Sequence, residues 1–156
     1  MLISGKEQTY IVHDDNNIKG FFDEYRWMSN FHPSLVVFEG DTYGSTEAAY
    51  QAAKANKLSD RAEFMSLDPS QSKKRGQEIE FRPDWDEVKY DLMSVIVFDK
   101  FYRHKDLREK LLATGDKYLE ESNHWNDATW GVYNGEGKNW LGQILMGIRD
   151  FWKRKA

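Results

Sequence analysis

Hydrophobic and polar positions follow two different periods along this chain. In the first third, TYIVH alternates as a short strand, and residues 20–45 offer two further strands separated by turn residues. From Ser45 onward, apolar residues recur every three or four positions, which indicates amphipathic helices. The chain is therefore expected to begin with strands and loops and to continue mainly as helix.

Six segments carry the helical pattern: STEAAYQAAKA, SDRAEFMSL, DPSQSKKRGQEI, DWDEVKYDLMSVIVFDKFYRH, KDLREKLLATGD and WLGQILMGIRDFWKRK. Ser45, Ser59 and Asp68 are predicted to cap the first three, with Gln71 completing a capping box. Gly115 is predicted to end the fifth helix. In the fourth helix, a buried apolar stripe is predicted at Val88, Leu92, Val95 and Ile96.

These elements predict an α+β fold that is mainly helical with a small antiparallel sheet. The chain has 156 residues, 40% of them hydrophobic, which is enough to fill one ordinary core. No internal repeat, low-complexity tract or linker interrupts it. We therefore expect a single domain over residues 1–156, with its core at about 21–151.

Composition narrows the possible functions. A net charge of −4 argues against broad electrostatic binding of nucleic acid. The basic runs SKKRG and WKRKA are typical of solvated surfaces, and contact with nucleic-acid phosphates is the alternative. There is no cysteine, and the four histidines lack the spacing of metal ligands. No serine-nucleophile elbow or nucleotide-binding glycine motif occurs. We expect no metal, no cofactor, no membrane partner and a cytoplasmic location; the oligomeric state stays open.

The first predicted helix carries four polar side chains among its alanines. Glu47, Tyr50, Gln51 and Lys54 fall within an arc of roughly 100°. A solvated helix face is the usual explanation for such a stripe. Tyrosine and glutamine between a carboxylate and an amine are less typical of that role, so a stripe facing a substrate is the alternative.

Two loops also concentrate candidate groups. RWMSNFHP contains Trp27, Ser29, Asn30 and Phe31, and HWNDATWG places Asp127 between Trp125 and Trp130. An acid flanked by aromatic rings is a candidate for a site, whereas the plain alternative is that Asp127 caps a turn. The segment NGEGKN could present backbone N–H groups to a phosphate at the start of the last helix, although an ordinary turn is the favoured interpretation.

Seven blocks occur in the order and approximate spacing of the NADAR family, also called YbiA-like: MSNF, STEAAYQAAK, DWDEVKYDLM, DKF, LLATG, NDATWG and GKNWLGQILMGIRD. The chain resembles this family from about Phe21 to Phe151. The resemblance implies an N-glycosidase that cleaves the bond between a phosphorylated ribose and an amine. Family members act on early riboflavin-pathway intermediates or on ADP-ribose attached to guanine. The expected ligand is thus ADP-ribose or a ribose phosphate, and ADP-ribosylated nucleic acid is a possible partner.

Carried over position by position, the resemblance implies catalytic roles for Glu47, Lys54 and Asp127. The residues expected to bind substrate are Ser29, Asn30, Phe31, Gln51, Trp85, Trp130, Gly131 and Asn139. Trp85 would stack on a base, and Asn30 and Asn139 would contact ribose or phosphate. Two positions depart from the family pattern: Ala48 replaces a common histidine and Met28 a common leucine. The first of these bears on substrate choice.

Two mechanisms use these residues. In one, Glu47 and Asp127 divide the work, one stabilising an oxocarbenium-like ribose and holding water while the other protonates the leaving nitrogen. In the other, Lys54 captures C1 of the ring-opened sugar as a Schiff base, and Glu47 transfers protons. The leading expectation is removal of ADP-ribose from an amine such as guanine. The alternatives are hydrolysis of a ribosylamino pyrimidine phosphate and a non-catalytic ADP-ribose-binding module.

Overall fold

The computed structural model describes residues 10–156, which pack as two compact units. One unit contains residues 10–29 and 106–156, and the other is Asn30–Lys105. Helices outweigh strands in the described chain, so the predicted α+β, mainly helical fold is confirmed. None of the helices in residues 10–156 combines the length and the apolar character needed to cross a bilayer. The single domain over residues 1–156 stays a prediction.

The elements follow one another in chain order, with two short 3₁₀ helices at Asp23–Met28 and Phe64–Ser66. The strands are β1 (Val12–His13), β2 (Asn17–Lys19), β3 (Val36–Phe38), β4 (Asp41–Tyr43), β5 (Tyr118–Glu120), β6 (Ser122–Asn123) and β7 (Val132–Tyr133). The helices are α1 (Thr46–Lys54), α2 (Leu58–Glu63), α3 (Pro69–Gly76), α4 (Trp85–Arg103), α5 (Lys105–Ala113) and α6 (Trp140–Lys155).

Helix α1 lies at the centre of the Asn30–Lys105 unit. It packs against α3, α4 and the antiparallel pair β3–β4. The hydroxyl of Ser45 caps it by accepting a hydrogen bond from the Ala48 N–H at 3.1 Å. The capping box predicted for α3 is present, since the Asp68 carboxylate accepts from the Gln71 N–H and the Gln71 side chain accepts from the Asp68 N–H. The alanines of α1 are fully buried, which lets the neighbouring helices approach closely.

The other unit combines small sheets with α5 and α6. Strand β2 pairs antiparallel with β1 and parallel with β5, while β6 and β7 form a separate parallel pair. Helix α6 lies so close to β5 that a Cβ on Gly142 would stand 2.2 Å from the Leu119 carbonyl oxygen, so glycine is required there. The pairing of β2 with β5 joins strands far apart in sequence, which a strand-by-strand pattern does not reveal.

The structure also changes several details of the predicted elements. Helix α2 begins at Leu58 after Lys57, so Ser59 lies inside its first turn and the prediction that Ser59 caps it is wrong. Val95 is 56% exposed, so its predicted burial is wrong, whereas Ile96 is buried as predicted, together with Met93, Val97 and Phe101. In TYIVH, only Val12–His13 is a strand, and Thr9 lies outside the described residues. Gly115 does follow α5, with a positive φ of 66°.

Candidate functional site

The polar stripe of α1 is not a solvated surface. Glu47, Tyr50 and Gln51 are 4% to 7% exposed, and Lys54 is half-buried. The usual explanation of such a stripe is therefore wrong for this helix. Burying a carboxylate and an amine on one helix costs free energy of folding. Because folding alone gives no reason to bury them, the stripe is a candidate for function.

Hydrogen bonds hold the first half of the stripe in one geometry. The Gln51 side-chain amide donates to the Glu47 carboxylate at 2.7 Å, and the Glu47 N–H donates to the Asn30 carbonyl at 3.0 Å. Gln51 is itself confined by α3, because a Cβ on Gly76 would stand 1.9 Å from its side-chain oxygen. The predicted residues Glu47, Gln51 and Asn30 are therefore brought together, with the carboxylate fixed by its neighbours.

The amine of Lys54 lies among aromatic rings. Its Nζ is 5.2 Å from the ring centroid of Tyr50 and 5.4 Å from that of Phe81. Phe81 is held there because its backbone pairs with Ala55, and the Arg82 N–H donates to the Lys54 carbonyl at 2.8 Å. Aromatic faces attract a cation without neutralising it, so the amine of Lys54 is held beside two rings without forming an ion pair with them.

Electrostatics shift the acidity of that amine. Burial lowers the pKa of Lys54, the charge of Glu47 raises it, and the charges of Lys89 and Lys73 lower it again, with a net lowering. A lysine with a lowered pKa has a larger neutral fraction near neutral pH, and the neutral amine is the nucleophile. The stripe thus combines a fixed carboxylate with an amine whose pKa is lowered.

Trp85 begins α4 next to this stripe. It is buried, and its ring centroid is 5.3 Å from that of Tyr50. The predicted stacking of Trp85 on a base stays a prediction, since packing on Tyr50 already gives the ring a structural role. Phe31 is half-buried, and the Nζ of Lys73 lies 5.9 Å from the centroid of its ring.

The second group of predicted residues lies in the loop between β6 and β7. Asn123 organises this loop through five hydrogen bonds: its amide donates to the carbonyls of Glu121, Asp127 and Val132, and its oxygen accepts from the N–H groups of Trp125 and Asp127. Asn123 is 1% exposed. The backbone that carries Asp127 is therefore held in place by the buried side chain of Asn123.

The Asp127 carboxylate does cap a turn. Its Oδ1 accepts from the N–H groups of Thr129 at 3.0 Å and Trp130 at 2.9 Å, while no protein donor within residues 10–156 contacts Oδ2. The turn-capping alternative is thus confirmed for one oxygen. The catalytic role of Asp127 stays a prediction, and the half-buried residue retains one oxygen with which to perform it.

Gly131 and Asn139 hold the end of the same loop. A Cβ on Gly131 would stand 2.1 Å from the Glu121 carbonyl oxygen, so only glycine fits where β6 meets β7. The Asn139 side chain is 4% exposed, accepts from the Glu121 N–H at 3.0 Å and donates to the Leu119 carbonyl at 2.9 Å. Contact of Asn139 with ribose or phosphate stays a prediction, and its observed bonds tie α6 to β5.

Four backbone N–H groups at the start of α6 already form hydrogen bonds. The backbone N–H groups of Lys138, Asn139, Trp140 and Leu141 donate to carbonyls of residues 128–131. These bonds support the ordinary-turn interpretation of NGEGKN. Trp130 is half-buried, and its ring lies edge-on to that of Trp140 with centroids 5.4 Å apart.

Ser29 ends the first of the two segments that form its unit. It is 7% exposed, and its hydroxyl accepts from the Arg26 guanidinium at 3.4 Å. Asn30 begins the next unit, where its side-chain amide approaches the sulfur of Met93 at 3.6 Å. The predicted roles of Ser29, Asn30 and Phe31 in substrate binding stay predictions.

Sequence reasoning missed four residues that shape these two regions: Asn123, Phe81, Lys73 and Lys89. Asn123 looks like an ordinary loop residue, and its importance depends on the parallel pairing of β6 with β7. Phe81 lies in an irregular segment without periodicity. The lysines could have been suspected from their helical spacing, since Lys73 precedes Gly76 by three positions and Lys89 follows Trp85 by four.

The sequence matches a known protein family. The model of the NADAR domain family matches residues 14–152, which span both units. This chain belongs to the NADAR domain family. The match includes α1 with its polar stripe and the loop that carries Asp127.

Relatives of known name extend the comparison. The chain is 34% identical to "N-glycosidase YbiA" of Escherichia coli (strain K12), with 82% of each protein covered, and 34% identical to "N-glycosidase Npun_R5314" of Nostoc punctiforme, with 81% of this chain and 85% of that protein covered. N-glycosidase activity is therefore found in this family. The chain is also 33% identical to "Riboflavin biosynthesis protein VVA0006" of Vibrio vulnificus over 82% of its own length, but it spans only 36% of that protein.

A solved structure shows the same fold. The NMR structure of the E. coli protein YbiA superposes with a TM-score of 0.80 at 31% identity and covers 96% of this chain and 92% of that chain. The likeness to a protein named as an N-glycosidase thus extends through the fold as well as the sequence.

Proposed function

We propose that this protein is an N-glycosidase that releases a phosphorylated ribose from an amine, and that ADP-ribose linked to an amine such as guanine is its substrate. The observation that carries the proposal is the half-buried Lys54 amine, whose pKa is lowered, on the same helix face as the fixed Glu47 carboxylate. The family relatives named N-glycosidase support the reaction class.

The stripe suits a covalent route. A ribosyl amine opens to an imine between C1 and the leaving nitrogen, and the neutral Lys54 amine attacks C1. A C1–Nζ bond forms, the bond from C1 to the leaving nitrogen breaks, and that nitrogen departs with a proton transferred by Glu47. Water then adds to the C1–Nζ imine, so that the sugar aldehyde leaves and Lys54 is restored. No metal ion enters these steps.

Asp127 belongs to the proposal as the second predicted carboxylate. Its Oδ2 has no protein donor within residues 10–156, which suits a group that exchanges a proton or orients water. The direct route, in which Glu47 and Asp127 divide stabilisation of the ribose cation and protonation of the leaving nitrogen, stays a prediction from the sequence.

A second substrate is favoured by a specific observation. Two relatives carry names of riboflavin biosynthesis proteins, one from Vibrio vulnificus and one from Zea mays. A ribosylamino pyrimidine phosphate has the same linkage of ribose C1 to an exocyclic amine, so the same residues would act on it. The two substrates differ in the leaving group, and the reaction at C1 is common to both.

The experiment incubates the protein with a guanine-ADP-ribosylated oligonucleotide, and separately with a ribosylamino pyrimidine phosphate, without added metal. Chromatography measures the released sugar phosphate, and Glu47→Gln serves as the control. Borohydride added during turnover should reduce the imine and leave a sugar adduct on Lys54 that mass spectrometry locates. Turnover without any lysine adduct would exclude the covalent route and favour the two-carboxylate route. Tight binding of ADP-ribose with no turnover of either compound would identify a non-catalytic reader instead.

A further inference from the structure

Resting on the proposed function, we propose that Lys73 of α3 and Lys89 of α4 form the phosphate-binding part of the substrate site, beside the Glu47–Lys54 stripe. The ligand class is a phosphate ester on the ribose. Neither lysine was among the predicted site residues. Three observations carry the proposal: the position of each lysine beside α1, the excess of positive charge there, and the contrast with a neighbouring lysine.

The position of Lys73 follows from the packing of α3 on α1. Gly76 touches the Gln51 side chain, and Lys73 lies one turn earlier on the adjoining face of the same helix. Its Nζ stands 5.9 Å from the centroid of Phe31, and the residue before Phe31 accepts the Glu47 N–H. Lys73 therefore reaches the end of α1 at which Glu47 lies.

Lys89 approaches from the other neighbouring helix. It lies one turn after Trp85, whose ring packs on Tyr50. Lys89 is half-buried, and Asp86, whose carboxylate is 3.3 Å away, has a side chain that is 91% exposed. Such an exposed pair contributes little, so the ammonium of Lys89 keeps donors available for a ligand.

The charges in this region do not balance. The charges of Lys73 and Lys89 lower the pKa of Lys54, and the charge of Glu47 opposes this effect. With the exposed Asp86 beside Lys89, three ammonium groups face two carboxylates. The surplus is positive although the whole chain carries −4. A dianionic phosphate would complete this region, because charge-assisted hydrogen bonds from ammonium groups to phosphate are among the stronger ones.

The neighbouring Lys74 provides a matched control. Lys74 lies on α3 beside Lys73, and both residues are exposed, but Lys74 is not among the charges that act on Lys54. Both lysines belong to the basic run SKKRG, which by itself is typical of a solvated surface. The structure distinguishes them, since Lys73 contacts Phe31 and acts on Lys54.

The experiment measures binding without turnover, by calorimetric titration with ribose 5-phosphate and with ribose. We expect the wild type to bind ribose 5-phosphate at least about tenfold more tightly than ribose. Lys73→Met and Lys89→Met should each reduce that preference about tenfold, whereas Lys74→Met should leave it unchanged. Methionine keeps the apolar stem, and circular dichroism verifies that each variant folds.

Turnover supplies a second readout. With a cleaved substrate, the same two variants should raise KM for the phosphorylated compound, and kcat should fall by a smaller factor, because each lost charge also lets the pKa of Lys54 rise. Equal affinity of the wild type for ribose and ribose 5-phosphate would overturn the proposal, as would an equal loss in Lys74→Met. A phosphate preference that depends on Lys73 and Lys89, in a protein that cleaves neither substrate, would instead refute the proposed function and leave the phosphate site standing.

Discussion

The stripe on α1 and the loop that carries Asp127 use their polar side chains in different ways. In the loop, Asn123 directs all five of its hydrogen bonds to backbone groups, and Asp127 uses one oxygen on two N–H groups. On α1, the Glu47–Gln51 bond joins two side chains, and the Lys54 amine is surrounded by aromatic rings.

The two regions therefore contain two kinds of polar group: those that stabilise the fold through backbone hydrogen bonds, and those whose surroundings suit catalysis. A side chain bonded to several backbone groups is difficult to remove without loss of the fold, because its partners are left buried and unsatisfied. A desolvated amine with a lowered pKa contributes nothing comparable to folding, so its retention points to function. Substitutions in the two regions should therefore separate activity from stability.

The largest effect is expected from Lys54→Arg. The variant keeps a positive charge among the same rings, but a guanidinium does not act as the amine nucleophile. We expect kcat/KM to fall by at least about a thousandfold while the free energy of unfolding changes by less than about 1 kcal/mol. Activity assays and urea unfolding measure the two quantities. Retention of a tenth or more of the activity would remove Lys54 from the reaction.

Asn123→Ala should have the opposite profile, with loss of stability as its main effect. It removes a buried side chain that satisfies five backbone groups, and we expect a loss of roughly 3 kcal/mol in the free energy of unfolding. Asn56→Ala, at an exposed asparagine, serves as the control and should cost less than about 0.5 kcal/mol. Similar losses for both variants would contradict the scaffold role of Asn123.

The same contrast explains how much of the molecule could be predicted from sequence. The helices follow from apolar spacing and from caps that act locally, as at Ser45 and at Asp68 with Gln71. The polar stripe follows from helix geometry alone. Its burial does not, because that depends on α3 and α4 covering α1, and no local pattern specifies which elements meet.

The loop was harder to predict for a physical reason. Its shape depends on the pairing of β6 with β7 and on one asparagine between them, and such tertiary contacts leave no periodic signal. Gly131 and Asn139 were selected through the family resemblance as ligand contacts. The structure shows Gly131 in close backbone packing and Asn139 in a bond to β5, and their contact with substrate stays a prediction.

Asp127 caps a turn with one oxygen and is also predicted to be catalytic, so two variants can separate its structural role from its catalytic role. Asparagine can still accept from the N–H groups of Thr129 and Trp130, so Asp127→Asn should keep the stability of the wild type. Asp127→Ala should lose about 1 kcal/mol, the usual value of a lost cap. If the carboxylate is catalytic, as predicted, both variants lose about a hundredfold in kcat. Full activity of Asp127→Asn would make Asp127 a structural residue only.

The smallest effect concerns the dependence of stability on pH. Because burial lowers the pKa of Lys54 in the folded protein below its usual value of 10.5, the unfolded chain binds more protons at pH values between the two. The destabilisation caused by the buried charge is complete at pH values below the folded pKa and disappears as the pH rises to 10.5. Lys54→Met should therefore be more stable than the wild type at pH 7, with a gain that shrinks by pH 10. Urea unfolding at the two pH values measures this difference. A gain that stays constant with pH would show that burial does not destabilise the charged form of Lys54. The contrast between α1 and the loop would then rest on hydrogen bonds alone.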